Sequence, residues 1–586
     1  MRLIAQNTEL DLRQGTSFTF EYASPLFKQQ VEAEAYTYPV NLPNSPVNRQ
    51  FFKYLHQAQS RAKFLETDCL LQHQSQEILR GRLWLMNAGA ESFTVSILKN
   101  AWDTDVLETS IKNLNYGGRR TVGDMRTHAL WTVNQSVETA DYVFFPILNE
   151  DFYPDATNFK GIINDWDTVN QRFFPNAEFD PSENGFDTFL PYANTLVPCV
   201  YLVYVLKQVA KAFGKQLTGD FALDAEIKTL VIYNTFALDE IRDTGFGFLS
   251  NIYKESIDIV QHLPNITIAQ LLNALIGQFN LAVQITDTDL SINFKNAFLT
   301  QSALADISDL VQRYPTVEPF LTQQGYAFQS QTDTNDKLWE TLREAQLQQG
   351  NIGEPVPYRT NLPTSTVPNQ THFVTYYNAW YRAASIGTFK LDYRRIEDTG
   401  YAPNFYVGQA KQTIQNNAST LVMRKHLYGE VEGSPGHLPL IASCPLLPAA
   451  KQQGNSPQSD FFKENTDNPF SLRLLFYRGL QPNWEEALYP LASSDIYNVF
   501  SANQGPIAKR GLTWEHTYNT CYKAWLALID NAKALNMQVH LDAFDWAQWN
   551  MTAKYRWQNQ HILPERMSVT FTEAGPKTAN LRALKL

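Results

Sequence analysis

SLRLLFYRGL, residues 471–480, leads into YPLASSD at 489–495 and then into GLTWEHTYNTCYKAWLALID at 511–530. In the first segment apolar residues alternate with their neighbours, at Leu472, Leu474 and Phe476. This two-residue period predicts a strand with its apolar side facing a core. Gly479 is expected to end that strand, because glycine interrupts regular pairing.

The last of these segments changes period. From Tyr518, the aromatic and aliphatic residues recur at Tyr522, Trp525 and Ile529. Spacings of four, three and four place them on one face of a helix, and an apolar face of this kind needs a cover. We therefore expect Trp525 to be buried between the helix and the sheet that contains Leu474.

The run LFYRG, then YPLAS, then the helix rich in Tyr and Trp, resembles the baseplate hub (tail-tip) proteins of tailed phages, prophages and related contractile injection systems. SPLF at 24–27 and YTYPVNLPNSPVNRQFF at 36–52 are similar to the opening of the same proteins. The resemblance covers the two ends of the chain, and the middle is only loosely similar. None of these motifs is catalytic.

The resemblance implies an architecture and a set of partners. It implies a homotrimer in which each chain supplies two small, tail-tube-like antiparallel β-barrel domains, so that three chains form a pseudo-sixfold ring. The partners it implies are the tail tube or distal tail proteins, a spike or tip protein, and the tape measure protein. DNA would pass through the lumen without specific binding, and the location would be the virion tail.

Length and composition give independent bounds. A chain of 586 residues is too long for one core and suggests about three to five domains. With 44% hydrophobic, 18% charged and 13% aromatic residues, the composition is globular. We predict a multidomain α+β fold of small β-barrels with inserted helix-plus-hairpin modules, divided at 1–115 (tube-like), 116–300 (mixed α/β), 301–430 (β-rich) and 431–586 (hub).

The charge and cysteine content exclude several classes of protein. A formal charge of −11 argues against a surface that grips phosphates, since such surfaces cluster Lys and Arg. Four scattered cysteines, at Cys69, Cys199, Cys444 and Cys521, indicate neither a disulfide framework nor a zinc ribbon. The N-terminus lacks the apolar region of a signal peptide, and Lys207 and Lys211 interrupt the most apolar segment, 196–213. We expect synthesis in the host cytoplasm and no stable membrane insertion.

Several elements are predicted along the chain. Alternation predicts a strand at 17–22 that Pro25 ends, and a hairpin of 79–86 with 92–98. Pro39, Pro43 and Pro46 predict an extended, non-helical passage. Helices are expected at 198–213, closed by Gly214, and at 267–279, capped by Thr267 and followed by a hairpin of 281–285 with 290–294. The irregular region 101–194 gives no assignment.

Two further segments are predicted to be loops, and one to contain strands. Residues 347–371 combine Gln, Asn and Gly with four prolines, which is typical of a linker. Residues 451–468 have the polar composition of a long surface loop. Between these loops, the aromatic pattern of 376–406 indicates strands.

The residues that could serve catalysis or ligand binding are better explained by structural roles. Glu515 and His516 are adjacent on a helix and point to different faces, so a metal site is disfavoured. Asp103–Asp105 and Asp333–Asp336 lack the glycine and distal Glu of a calcium loop, which leaves solvated turns as the better account. Gly245–Gly247 lacks the third glycine of a nucleotide motif, and no P-loop or GxSxG motif occurs. Tyr116–Arg120 could contact an anion but is more typical of a tight turn with exposed charge. We predict no catalytic, cofactor-binding or metal residues, and no cofactor.

Three hypotheses for function remain. The first is a structural hub that joins a tail tube to a spike. The second is a tail-tip hydrolase of peptidoglycan or peptide, for which the sequence offers no Cys/His or carboxylate constellation. The third is a receptor-binding or carbohydrate-binding tail protein, which abundant Trp and Tyr would permit, although Tyr518, Tyr522 and Trp525 have the spacing of a helix core. The hub is preferred, as a protein that is not an enzyme and whose ring has a bore lined by more Asp and Glu than Lys and Arg.

Overall fold

A computed structural model describes the chain except for residues 33–34, 64–65, 75, 100–101, 149–161, 175–194, 235, 244–248, 320–324, 331–370, 375–378, 387–389, 397–403, 409–411, 417, 421, 429–439, 447–471, 484–485 and 499–504. The predicted linker at 347–371 (except Thr371), the loop at 451–468, Gly245–Gly247 and Asp333–Asp336 lie outside the described residues. Within the described part the fold is α+β, and sheets dominate it.

The largest sheet, here called the main sheet, joins the two ends of the chain. Its path of strands runs from the N-terminal hairpin through Phe18–Ala23 to Gln560–Thr572 and on to Ala579–Lys585. Its fifteen strands are Arg2–Ala5, Thr8–Leu10, Phe18–Ala23, Ala35–Thr37, Val40–Pro43, Glu66–His73, Gln76–Ala88, Ser92–Lys99, Ala305–Asp306, Thr316–Pro319, Lys533–Val539, Tyr555–Trp557, Gln560–Thr572, Gly575–Pro576 and Ala579–Lys585.

Alternation explains which face of the main sheet is buried. Phe18 and Phe20 on one strand pair with Phe571 and Val569 on another, and all four lie in one core cluster. The strand predicted at 17–22 and the hairpin predicted at 79–98 are both confirmed. Among the described residues the strand pairings do not close this sheet, so the small β-barrels predicted from the resemblance are not confirmed.

A second sheet, the central sheet, contains the strand predicted from LFYRG. Its strands are Tyr142–Val143, Cys199–Tyr201, Leu230–Ile232, Ala418–Thr420, Leu472–Pro482 and Leu488–Ser493. Residues 472–477 are all buried, Arg473 included, because neighbouring strands and packed layers cover both faces. Leu472, Leu474 and Phe476 face a core, as predicted, and the opposite side of the strand is buried as well. Gly479, at φ 73°, lies in an irregular pairing between Tyr477 and Leu480, and the strand continues past it.

The helix-plus-hairpin module at 267–294 is confirmed. Its helix spans Ile268–Phe279 and begins with a capping box, in which Thr267 and Gln270 exchange side-chain-to-backbone hydrogen bonds. Asn280 adopts the left-handed conformation that ends the helix. The strands Leu281–Ile285 and Asp289–Phe294 then pair antiparallel.

The helices are short. They span Pro46–Phe51, Thr104–Leu107, Met125–Val133, Leu202–Ala212, Asp220–Leu223, Ile268–Phe279, Lys295–Thr300, Trp514–Thr517, Lys523–Asn531 and Ala543–Gln548, with a π turn at Tyr518–Tyr522. Tighter 3-10 turns lie at Pro25–Phe27, Ile111–Asn113, Ile227–Thr229, Ile259–His262 and Ser308–Leu310.

Three helices differ from the sequence-based expectation. Pro46 starts a helix at the end of the proline-rich passage, because proline suits the first helical turn and Ser45 caps it. The helix expected from 198 begins instead at Leu202, since Cys199–Tyr201 pairs with Leu230–Ile232 in the central sheet. Met125–Val133 was not predicted, although Asp124 caps it through the Thr127 amide.

The remaining strands form small sheets. They are Arg120–Thr121 with Ser256–Ile257; Ile147–Leu148, Ile162–Ile163, Leu440–Leu446 and Val422–Tyr428; Trp166–Asp167 with Arg172–Phe173; Gln216–Thr218 beside the module hairpin; Asp239–Asp243 with Leu249–Tyr253; Gly325–Ser330, Asn404–Gly408 and Gln412–Asn416; and Thr371–Val374, Ala379–Ile386 and Lys390–Ile396. Strands were predicted in the region 376–406. Ala379–Ile386 and Lys390–Ile396 lie within it, and Thr371–Val374 and Asn404–Gly408 lie at its edges. The four domain boundaries remain predictions, while the strand pairing shows that segments 1–115 and 431–586 meet in one sheet.

Candidate functional site

The segments that carry the family resemblance meet at a partly buried ionic network, here called the motif junction, which consists of Asp224, Glu226, Arg478, Asp495, Arg510 and His516. Arg478 belongs to LFYRG, Asp495 ends YPLASSD, and His516 lies in the first turn of the closing helix segment. The sequence analysis quoted these segments but gave Arg478 no role. Its position in the middle of an apolar strand was the available signal.

Arg478 is the centre of the motif junction. Its Nη2 donates to the backbone carbonyl oxygens of Asp495 at 3.0 Å and of Arg510 at 2.6 Å, and its Nη1 lies 3.6 Å from Glu226 Oε2. The guanidinium carbon also lies 4.4 Å from the centroid of the Phe476 ring. Burial lowers the pKa of Arg478 to about 10, a value at which the side chain stays charged near neutral pH.

Asp495 connects the strand Leu488–Ser493 to the closing helix. Its Oδ1 accepts hydrogen bonds from the backbone N–H groups of Ile496 and Tyr497 and lies 3.2 Å from His516 Nε2. Burial acts to raise the pKa of Asp495, but the hydrogen bonds outweigh burial and hold that pKa below its usual value. The carboxylate is therefore charged at neutral pH and orients the His516 ring.

Arg510 extends the network to the segment after the helix Asp220–Leu223. Its guanidinium donates two hydrogen bonds to Asp224 Oδ2, at 2.8 and 3.2 Å, and lies 4.2 Å from the centroid of the Phe294 ring. The Glu226 carboxylate accepts from the backbone N–H groups of Lys509 and Arg510. The motif junction thus ties three separated segments together through charged hydrogen bonds, which are the stronger class.

The helix-plus-hairpin module contacts the closing helix directly. Gln278 donates to the Leu512 carbonyl at 2.9 Å, and Asn280 donates to the Cys521 carbonyl at 2.9 Å. In the opposite direction the Tyr522 hydroxyl donates to the Gly277 carbonyl at 2.6 Å. Trp525 is buried in the same core cluster as Leu474 and Phe476, as predicted.

The N-terminal motif SPLF reaches the same helix. Ser24 Oγ donates to the Met551 carbonyl at 2.8 Å, and the Phe27 ring packs on Trp525. Beside the same indole ring, the buried Lys295 Nζ donates to the Lys28 carbonyl at 2.8 Å. The segments of both matched ends of the chain are therefore neighbours in the fold.

The motif junction links segments of the chain through ion pairs and hydrogen bonds. The described partners of the His516 ring are Asp495 and the Tyr497 ring, whose centroid is 6.5 Å away. Cys521 is the nearest thiol to Arg510, and burial raises its pKa, so the less reactive thiol form dominates. The partly buried His516 ring, paired with Asp495, holds its neighbours in place.

The other candidate sites of the sequence analysis have structural partners. Asp103 caps the helix Thr104–Leu107 and pairs with Arg82 at 3.1 Å. Gly117 and Gly118 have positive φ, as a tight turn requires. Arg119 is exposed as expected, while Arg120 keeps 37% of its side chain exposed and also pairs with Asp141 and with the Tyr204 hydroxyl.

The described residues contain neither a metal-binding cluster nor a membrane-spanning helix. No group of three His, Cys, Asp or Glu side chains there could hold a metal ion. No helix in that part combines the length and apolar character needed to cross a membrane. Cys69, Cys199 and Cys521 are buried and unpaired thiols.

Comparison with known proteins gives no family assignment. No protein-family model and no curated protein matches the chain. Among solved structures, the chain is similar to the 43 kDa tail protein of prophage MuSo2 from Shewanella oneidensis, with a TM-score of 0.32, 8% identity, and coverage of 99% of this chain and 97% of that chain. It is also similar to the tail protein from Neisseria meningitidis MC58, with a TM-score of 0.31, 7% identity, and coverage of 100% and 95%. Scores at this level do not establish a common fold.

Proposed function

We propose that this chain is a structural component of a phage-type tail, acting as a hub in the baseplate or tail tip. The observation that supports the proposal is the convergence of the resembling motifs. LFYRG, YPLASSD and the closing helix meet at the motif junction, and SPLF packs on the same helix. SPLF lies at the opposite end of the chain from the other three motifs, and its contact with the closing helix supports the interpretation of these segments as one structural unit.

In this role three chains form a ring that connects the tail tube to the central spike or tip. The ring lets DNA or the tape measure protein pass and acts on no substrate. The described contacts of the motif junction suit a structural role, because they hold separate segments of the chain together. The net charge of −11 also suits a passage for DNA, since each phosphate contact by Lys or Arg would add salt-dependent affinity.

The test is electron cryo-microscopy of assembled particles, with the chain located by a gold-labelled antibody. The expected result is label at the tail tip and a class average with threefold symmetry at that level. Label on peripheral fibres would favour the receptor-binding alternative and would contradict the hub. A ring with a strongly basic bore would contradict the passage proposed for DNA.

A further inference from the structure

A pocket lies between the turn at 114–117 and one face of the helix Leu202–Ala212, away from the motif junction. Its volume is about 560 Å³, within the range of pockets that bind small ligands. The side chains that form it include Leu114, Tyr116, Tyr204, Gln208, Lys211 and Ala212. The last four follow helical spacing and therefore share one face of the helix.

Gln208 is the notable polar group of this pocket. Its side chain is only 8% exposed, it lines the pocket, and its carboxamide makes no hydrogen bond to the residues that the structure describes. A carboxamide carries both donor N–H groups and an acceptor oxygen. Neither polar atom of this carboxamide is sealed from solvent, so a ligand that pairs with Gln208 would replace water there and gain the net free energy of a hydrogen bond, about 0.5–1.5 kcal/mol.

Lys211 supplies a charge close to Gln208. It follows Gln208 by three positions, is exposed, and forms no ion pair with the described part of the chain. Its ammonium offers three donors and no acceptor. An anionic group at the mouth of the pocket would therefore find a free cation there.

The wall of the pocket combines polar and apolar surface in similar shares, and two tyrosine rings form much of the apolar part. The rings of Tyr116 and Tyr204 lie 5.8 Å apart, centroid to centroid. Their hydroxyl groups are already used, since Tyr116 donates to the Ile111 carbonyl and Tyr204 accepts from Arg120. With Leu114 beside them, these rings present carbon surface, while Gln208, Lys211 and Asn115, whose Oδ1 accepts from the Gly117 N–H, form the polar part of the wall.

We propose that this pocket binds a short, extended acidic peptide segment of a partner protein. A peptide unit offers the C=O and N–H that complement the Gln208 carboxamide, a neighbouring Asp or Glu carboxylate pairs with Lys211, and an aliphatic side chain packs on the tyrosine wall. A sugar is the poorer fit, because its hydroxyl groups would meet tyrosine hydroxyls that are already bonded. The site is independent of the motif junction and goes beyond the hub role.

The experiment uses the full-length chain and two pools of capped hexapeptides with randomised flanks, one with Asp and one with Asn fixed at the centre. Binding is measured by fluorescence anisotropy at low salt. The Asp pool should bind the unmodified chain more tightly. Lys211→Gln should weaken the Asp pool about three- to fivefold and remove the preference for Asp, while Gln208→Leu should weaken both pools about tenfold.

Lys207→Gln is the matched control, because Lys207 lies on the same helix but does not line the pocket. This variant should bind both pools as the unmodified chain does, and the melting temperature of each variant should be measured to exclude unfolding. Equal binding of the two pools, or equal effects of Lys207→Gln and Lys211→Gln, would overturn the proposal. So would displacement of the peptides by N-acetylmuramic acid, which carries an amide and a carboxylate on a sugar, because it would assign the pocket to cell-wall fragments.

Discussion

The ring of Phe27 lies 5.5 Å from the ring of Trp525, centroid to centroid, with the two planes tilted by 49°. Phe27 ends the SPLF motif near the N-terminus, and Trp525 lies on the closing helix. This contact joins the two matched ends of the chain. Its contribution to stability can be measured.

Trp525→Ala should destabilise the fold by about 3–5 kcal/mol, because it removes a buried indole and leaves a cavity. A double-mutant cycle with Phe27→Leu and Trp525→Leu should give a coupling of about 0.5–1.5 kcal/mol, as expected for an aromatic pair. Urea unfolding followed by fluorescence measures both quantities. Trp131→Ala is the control, since Trp131 is 45% exposed and its loss should change the free energy of unfolding little. An unchanged midpoint for Trp525→Ala would show that the placement of the apolar face is wrong.

Arg478→Met should destabilise the motif junction by about 3–5 kcal/mol, because Glu226 and two backbone carbonyl groups would lose a buried cation. Arg478→Lys should recover only part of this loss, since an ammonium cannot reproduce the fork of the guanidinium. Arg566→Met is the matched control: Arg566 is 63% exposed and lies 3.4 Å from Glu21, and exposed pairs contribute at most about 1 kcal/mol. Thermal unfolding of the three variants provides the comparison, and equal losses for Arg478→Met and Arg566→Met would contradict the assigned role.

Lys295→Met should stabilise the chain relative to the unmodified protein in a pH-dependent way. Burial lowers the pKa of Lys295 from 10.5 to about 7, so between these values the unfolded chain binds a proton that the folded chain does not. The stability of the unmodified protein therefore rises with pH across this window, by at most about 1.4 kcal/mol per pH unit from this group. The advantage of Lys295→Met should be largest below pH 7 and shrink toward pH 10.5.

Urea unfolding at four pH values between 6 and 10, compared between the two proteins, measures this effect of Lys295. Lys207→Met controls for the loss of an exposed lysine. An advantage that stays constant with pH would mean that the Lys295 ammonium remains charged in the folded state.

Gly219→Ala should be far more damaging than Gly214→Ala. Both glycines have positive φ, at 103° and 67° respectively, where a Cβ is disfavoured by about 1–2 kcal/mol. A Cβ on Gly219 would also lie 2.1 Å from the Ile292 carbonyl oxygen, whereas a Cβ on Gly214 meets nothing within 4 Å. Melting temperatures should show a modest loss for Gly214→Ala and a severe loss for Gly219→Ala. Similar losses would indicate that the strand beside Gly219 can move aside.

The sequence was sufficient to predict those elements whose backbone hydrogen bonds form within the segment itself. The helix Ile268–Phe279 has its cap, its apolar face and its terminating Asn280 within a few residues, and it was predicted correctly. The helix from Leu202 was placed four residues too early, because Cys199–Tyr201 is drawn into pairing with a strand some thirty residues away. The hydrophobic pattern of residues 198–213 does not reveal that this distant strand will pair with Cys199–Tyr201.

The site was less accessible to prediction than the helices. The alternation of Leu472, Leu474 and Phe476 predicted a core on one side of the strand, but it gave no sign that the other side, where Arg473 is 4% exposed, is covered too. The partners of Arg478 come from loops near 226, 495 and 510, and most of them are backbone carbonyl groups, which every residue possesses. A sequence therefore gives no sign of which carbonyl group will be used, and the Gln208 pocket likewise depends on a turn ninety residues earlier.

The pairing of Phe18–Ala23 with Gln560–Thr572 has a consequence for the order in which the protein is made. The hydroxyl groups of Thr19 and Thr570, 2.8 Å apart, are separated by 551 positions in the chain. At a synthesis rate of roughly 5–20 residues per second, the first strand leaves the ribosome about half a minute to two minutes before its partner. During that interval the apolar side of Phe18 and Phe20 lacks its cover. Completion of the main sheet therefore waits for the synthesis of Gln560–Thr572, and the exposed strand Phe18–Ala23 should depend on chaperones to a degree set by the length of the intervening sequence.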